Sequence, residues 1–372
     1  MKSFIANGKP LSLIDIEAVC ELILKTQKKT GEIPWHDGGK TDPWDHVEAA
    51  MGLSVGGYFA RARRAFEWLA AMQLDDGSWH SAYRRGKPED KTRDSNMSSY
   101  ISAGLFHYYL ITGDIDFLKK MWKTVRNAIE FTLGMQGTEG EIFWAKSPDG
   151  KIDRMALLTG SSSVFFSLKC AMGIAEKLGH DMAGWRDSLG NLKKAINEKS
   201  YLFNATKSRH SMDWFYPALS GAVVGVAAEE RIKKRWKKYV VNGQGVLCVA
   251  DEPWVTIAET SELVLALSAM GKMELAGIVF DWIADKVFED GSFWCGHTYP
   301  DMTVWPEEKM TWTNGVALIA ADALFNLTPA SCLFSHASWD PEDFSFAPVK
   351  FFRQNRVVDI NVSKKNKGSF GH

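Results

Sequence analysis

The chain has 372 residues, 45% of them hydrophobic, which is enough to bury a large core. Its formal net charge of −1 supplies no field to draw in nucleic acid or an anionic membrane, so neither is expected as a partner. The five cysteines (Cys20, Cys170, Cys248, Cys295, Cys332) are odd in number and never spaced as CxxC, as expected of reduced thiols in a cytoplasmic protein rather than a disulfide frame or zinc site.

Asp15 and Glu17 interrupt the first apolar stretch, which argues against a signal-peptide core, and no run reaches the ~18–20 apolar residues of a membrane span. From there helical periodicity dominates, in two alternating kinds. Residues 12–29 are amphipathic, 46–56 apolar and small, 58–74 amphipathic, and 97–111 apolar again. The alternation continues through 116–135, 159–178, 182–198, 217–228, 229–240, 257–270, 273–287 and 312–327. In 58–74, Ala62, Ala65, Phe66, Leu69 and Met72 recur at helical spacing while Arg61, Arg63, Arg64 and Glu67 fall elsewhere, the mark of a helix with one wet face. The other segments are nearly free of Lys and Arg, as buried helices are.

Each dry helix passes to the next wet one through a short turn, often with glycine: Gly56-Gly57, Gly113-Asp114, Gly179-His180, Gly271-Lys272. Each wet helix passes to the next dry one through a longer loop of roughly 10–20 residues. Six outer helices around six inner ones, with the long loops at one end, define an all-α fold, an (α/α)6 toroid over residues 1–327. After it, residues 328–372 lose the pattern. Pro329, Pro341 and Pro348 and a run of aromatics predict an irregular segment docked on the ring, with a frayed basic end at Lys364, Lys365 and Lys367.

The long loops carry the chemistry. Loop one holds Trp35, His36, Trp44, Asp45 and Glu48; loop two, Trp79 and Asp94; loop three, Trp144. Loop four holds Asp213, Trp214 and Tyr216; loop five, Trp254, running into Glu259 and Glu262; loop six, Trp294, Trp305, Glu307 and Glu308, before Trp312. Capping explains some of the acids, since Asp45, Asp94, Asp114 and Asp251 lie near helix starts. It does not explain a Trp in every loop. Flat rings stack on a pyranose face while carboxylates bind hydroxyls, so this acidic, aromatic crater is expected to bind sugar. His36, His46, His80 and His297 lie among the carboxylates, but no spacing fits a metal, and no cofactor is expected.

Two resemblances follow. Gln73-Leu74-Asp75-Asp76-Gly77-Ser78-Trp79 is similar to the QxxDGSW repeat of squalene–hopene cyclases and their terpenoid-cyclase and prenyltransferase relatives, with echoes at Gln136–Trp144 and Asp290–Trp294. There the repeat implies a clasp between outer helices. The DxDD acid motif of the class II cyclases is absent. Thr112-Gly113-Asp114 through Phe131 resembles an outer helix of the glucoamylase-like (α/α)6 glycosidases, and Glu307-Glu308 before Thr311-Trp312-Thr313 is similar to their last loop, which carries a catalytic base.

Inverting hydrolysis needs two carboxyls about 6.5–9.5 Å apart, one protonated and one ionised. The glycosidase resemblance implies Glu308 as base, with Glu307 its rival. Asp213, between Met212 and Trp214, is the expected acid, with Asp45 and Glu259 the next candidates for that role. The expected function is therefore an inverting glycoside hydrolase acting on a small-molecule, oligosaccharide or glycolipid substrate. Its rivals are a terpenoid cyclase or prenyltransferase-like enzyme with Asp213 as acid, and a non-catalytic glycan- or lipid-binding ring.

Overall fold

A computed structural model describes residues 4–6, 9–11 and 14–349 of the chain. Outer and inner helices alternate along it. The order is α1 (Ile16–Thr26) outside, α2 (Pro43–Val55) inside, α3 (Phe59–Met72) outside, then α4 (Ser95–Ser99), which runs on through Tyr100 into α5 (Ile101–Thr112), inside. Next come α6 (Ile115–Leu133) outside, α7 (Leu158–Leu178) inside, α8 (Ala183–Glu198) outside and α9 (Met212–Leu219) inside. Finally α10 (Gly225–Tyr239) lies outside, α11 (Ile257–Ala269) inside, α12 (Met273–Asp281) outside and α13 (Thr311–Phe325) inside.

The inner helices pack in the cyclic order α2, α5, α7, α9, α11, α13 and back to α2, which closes the ring. Composition dictates the two layers. In α6, Phe117, Leu118, Met121, Val125 and Ile129 face inward while Lys119, Lys120 and Lys123 stay in water. In α11 every residue is buried. At the closing contact between α2 and α13 the backbones nearly touch, for a Cβ on Gly52 would lie 2.7 Å from the Gly315 Cα. Small residues are required where two inner helices approach that closely.

The QxxDGSW string is a clasp, and it recurs. Gln73 follows α3 and donates its amide to the carbonyls of Gly77 and of Thr124 on α6, both at 2.9 Å. Gln136, after α6, does the same to Gly140 and to Ser188 on α8, both at 3.0 Å. Gln27, after α1, reaches Gly31 at 3.1 Å and Arg61 on α3 at 3.0 Å. Each glycine has positive φ and lies against the next outer helix; a Cβ on Gly77 would stand 2.1 Å from the Asn127 carbonyl oxygen. In the last such loop Gly291 rests on Ala18 of α1, which joins the last outer hairpin to the first.

Two expectations need correction. The fourth inner helix is Met212–Leu219 rather than 217–228, and α10 begins at Gly225. Pro217 sits inside α9, and the Asp213 carbonyl that its missing N–H would have engaged accepts from the Arg231 guanidinium at 2.6 Å instead. The strand-poor sequence also folds, among the described residues, four short antiparallel sheets, three of them from the long loops. The largest orders Gly296–Thr298, Trp254–Thr256, Gly245–Leu247 and Val240–Val241 side by side. Another joins Arg93–Asp94, Phe143–Lys146 and Ile152–Ala156.

Beyond α13, residues 328–349 pack on the inner helices away from the long loops. Phe334 stacks on Phe166 at 4.7 Å, Phe346 meets Phe106 edge-on at 5.2 Å, and the His336 ring donates to the Ala218 carbonyl at 2.6 Å. The basic end expected to fray lies outside the described residues. No helix among the described residues is long and apolar enough to cross a membrane.

Candidate active site

The crater forms where the long loops enter the inner helices, and α2 supplies its first wall. Asp42 is the N-cap of α2: its Oδ1 accepts from the Asp45 N–H at 2.9 Å and its Oδ2 from the Trp35 indole N–H at 2.6 Å. Asp45, expected as a possible cap, stands in the first turn with its carboxyl hydrogen-bonded to that of Asp42. Burial, with the charges of Asp42 and Glu48 next to it, holds its carboxyl well above the ordinary range. Nearly a turn deeper, Glu48 Oε1 accepts from the Trp44 indole at 2.8 Å and the Tyr100 hydroxyl at 3.3 Å. Burial pushes Glu48 up to about 8 in spite of these two donors.

The second wall is α11. Glu259 and Glu262 stand three residues apart on one face, 8% and 5% exposed. Burial and the charges of Glu48 and Glu259 raise Glu262 well above the ordinary range. Glu259 keeps its Oε2 buried with no hydrogen-bond partner among the described residues. Two thiols lie beside it. The Cys248 thiol is hydrogen-bonded to Glu259, and Cys295 is pushed up to about 12 by burial and then by the charges of Glu259, Asp45 and Glu308. Those three carboxyls therefore lie within electrostatic reach of one thiol.

Aromatic rings complete the lining. Trp44 packs against Tyr100 at 5.2 Å and Tyr216 at 5.6 Å, and the two tyrosine hydroxyls are bonded to each other. Trp35 lies 6.2 Å from Trp312, whose buried indole nitrogen has no partner among the described residues. Trp254 and Trp305 meet edge-on at 5.0 Å, with Trp305 exposed on the rim. Trp144 donates to Asp94 Oδ2 at 2.5 Å, while Asp94 Oδ1 caps α4; burial raises Asp94 to about 7. Asp213 opens α9, and its Oδ1 accepts from the Thr159 N–H at 3.1 Å and hydroxyl at 2.6 Å. Glu307 and Glu308 are exposed, and His36 is half-buried with its ring near the Asp37 carbonyl.

Several expected residues leave the crater. Trp79 is 1% exposed and donates to the Leu69 carbonyl at 2.8 Å, so it is a core residue. Trp214 is fully buried, donates to the Arg231 carbonyl and stacks on Tyr239 at 5.1 Å. It points outward toward α10, about 100° around the helix from Asp213. Asp251 is no cap: it is exposed and pairs with Arg209 at 2.7 Å. Trp294 is half-buried, edge-on to the buried His297 at 6.3 Å. His46 is fully buried between the Ile33 N–H and the Ala65 carbonyl, both at 3.0 Å. Among the described residues no group of three or more His, Cys, Asp or Glu converges as metal ligands would. Tyr100, Cys248 and Cys295 were not legible as site residues, since each sits in an apolar or small-residue run.

Because Phe293 fills the place of Trp79 in the last clasp, Trp79→Phe is expected to fold with stability lowered by about 1–2 kcal/mol and an unchanged KM. Denaturant unfolding and steady-state kinetics measure the two effects. A rise in KM without a loss of stability would return Trp79 to the substrate.

A closed ring of helical hairpins with carboxyls and tryptophans around one mouth is the architecture of an (α/α)6 glycoside hydrolase. The chain belongs to the family of the MMP endo-(1,4)-3-O-methyl-alpha-D-mannosidase of Mycolicibacterium hassiacum, with which it is 46% identical over 314 residues, 84% of this chain and 87% of that one. An uncharacterized glycosyl hydrolase of Methanocaldococcus jannaschii is 21% identical over 169 residues, 44% of this chain and 26% of that one. No protein-family model matches the chain. Among solved structures, a glycosidase in complex with glucose superposes with a TM-score of 0.67 at 15% identity, over 84% of this chain and 96% of that one. A GH63 mannosylglycerate hydrolase of Thermus thermophilus gives 0.64 at 11% identity, over 82% and 99%. The fold is thus the glycosidase toroid. The QxxDGSW resemblance marks its scaffold, and neither family membership nor these likenesses support a terpenoid cyclase.

Proposed function

We propose that the chain cleaves (1,4) linkages inside chains of 3-O-methyl-α-D-mannose with inversion, Asp45 acting as general acid and Glu259 as general base. The observation that carries the assignment is a pair of acids on two walls of the crater, both within electrostatic reach of Cys295: Asp45 on α2 is held up toward its protonated form, and Glu259 on α11 has a buried, unpartnered oxygen. A protonated acid serves the leaving oxygen, and Glu259 Oε2 is free to take a proton from water. The substrate follows from the Mycolicibacterium hassiacum relative. An O-methyl group donates no hydrogen bond and gains from apolar contact, which suits walls built of Trp35, Trp44, Trp254 and Trp312.

A second reading of the base has its own support. Glu308 also acts on Cys295 and lies just before α13, as the resemblance implies. Asp213, anchored by Thr159, fits a hydroxyl-binding role better than the acid. All five cysteines are free, in keeping with the cytoplasmic setting expected for the chain.

Digestion of 3-O-methylated and unmethylated α-(1,4)-mannan oligosaccharides, followed by proton NMR within the first minutes, tests the proposal. Expected are internal cleavage and a reducing end released as the β-anomer. Release of the α-anomer would replace inversion by a covalent route, and no cleavage of either oligosaccharide would overturn the substrate.

A further inference from the structure

The first and third clasps share the pattern Gln-x-x-x-Gly-Glu-Ile, as Gln27–Ile33 and Gln136–Ile142, yet their glutamates fare differently. Glu32 accepts from the Thr41 hydroxyl at 2.9 Å. Glu141, also recessed at 9% exposure against 5% for Glu32, has a buried Oε2 with no partner among the described residues. Its carboxyl folds over Gly137, where a Cβ would come within 2.3 Å of it, whereas the first clasp has Lys28 at that place. Beside Glu141 opens a cavity of about 710 Å³, walled by Phe143, Lys151, Ile152 and Arg154. That volume is in the range of ligand sites.

This cavity shares a wall with the crater. Phe143 and Trp144 are neighbours on the strand Phe143–Lys146, and neighbouring side chains on a strand point to opposite faces. Trp144 reaches Asp94 at the mouth, while Phe143 lines the cavity with the Arg154 guanidinium 5.8 Å from its ring. Outside it stands Tyr201, 71% exposed, its hydroxyl donating to Glu139 at 2.6 Å. An aromatic face, a carboxylate with one unpartnered oxygen and two cations fit a neutral sugar: the acid accepts from hydroxyls, the cations donate to ring and bridging oxygens, and Phe143 packs on the pyranose.

We infer that this cavity is a distal subsite that holds a sugar unit of a long substrate strand after the strand has crossed the rim from the crater. The inference rests on the oligosaccharide substrate proposed above. An internally cleaving enzyme handles strands longer than its crater, and a second hold raises effective concentration without touching the bond being broken.

The test compares short and long 3-O-methylated α-(1,4)-mannan oligosaccharides on the wild type, Phe143→Ala, Glu141→Gln and the exposed Arg154→Ala. Expected is a roughly tenfold rise in KM for long substrates only, with kcat and short-substrate kinetics unchanged. Binding of the same oligosaccharides is measured by calorimetry on Asp45→Asn/Glu259→Gln protein with and without Phe143→Ala. Equal effects on short and long substrates, or none in any variant, would overturn the subsite. Binding that depends on Phe143 without hydrolysis by the wild type would support the subsite and overturn the proposed reaction. Neither binding nor hydrolysis would overturn both.

Discussion

Asp45→Asn is expected to lower kcat by about 10²–10⁴ while leaving the fold and the oligosaccharide affinity nearly intact. The amide keeps the shape of the side chain but has no acidic proton to give to the leaving oxygen. Its effect should be largest on substrates with a poor leaving group, and an aryl glycoside whose leaving group needs no protonation should recover much of the rate. Glu259→Gln should cost a similar factor but show no such rescue by an activated leaving group, because the base acts on the attacking water and not on the leaving oxygen. Asp213→Asn should act mainly through KM. If Glu308→Gln proves as damaging as Asp45→Asn while Glu259→Gln retains activity, Glu308 is the base and the assignment of Glu259 fails. Since burial and the neighbouring acids hold Asp45 above the ordinary range, the alkaline limb of the rate profile should fall well above the pH at which a free aspartate ionises.

The second large effect is on stability. Glu48 is 4% exposed and titrates near 8 in the folded chain against 4.5 for an unperturbed glutamate. With the folded value raised, the favourable contribution of the protonated acid is complete below about pH 4.5 and is lost as pH climbs through 8. Glu48→Gln copies the protonated acid and still accepts from Trp44 and Tyr100 through its carbonyl. It should match the wild type near pH 4.5 and exceed it by about 2–5 kcal/mol at pH 8.5. Parallel denaturant unfolding at the two pH values measures the difference. An unchanged difference between them would mean that Glu48 is not the protonated group on the crater floor.

Why the architecture was readable and the site only in part follows from the physics of each. A wet face or its absence is written into every turn of a helix, so twelve segments announce two rings. α9 escaped because its first turn, Met212-Asp213-Trp214-Phe215, has the same residues a loop would have, and Pro217 looks like a stop. The strands of the mouth are two to five residues long, too short for alternation to register. The clasp after α1 went unnoticed because Ile33 fills the place that Trp79 fills after α3; the bonds that define it come from Gln27 and Gly31. Among the acids, spacing could not tell a cap from a crater residue. Asp42 and Asp45 are one turn apart, and only the hydrogen bond from the Asp45 N–H to Asp42 shows which side chain the helix end has already engaged. Trp residues were the least informative: two of those assigned to sugar turned out to be walls of the core, because a large ring serves either purpose equally well.

The closing contact between α2 and α13 has a kinetic consequence. Thr311 donates its hydroxyl to the Pro34 carbonyl at 2.7 Å, across 277 positions of chain. No partial ring can make that contact, so α2 keeps an apolar flank bare until the last hairpin arrives, and loop closure over that span is entropically expensive. Folding should therefore be slow and assembly late. Once the last helix is seated, however, opening any one hairpin must break contacts on both its sides, so the finished ring should come apart reluctantly and resist proteases far longer than its equilibrium stability alone would suggest.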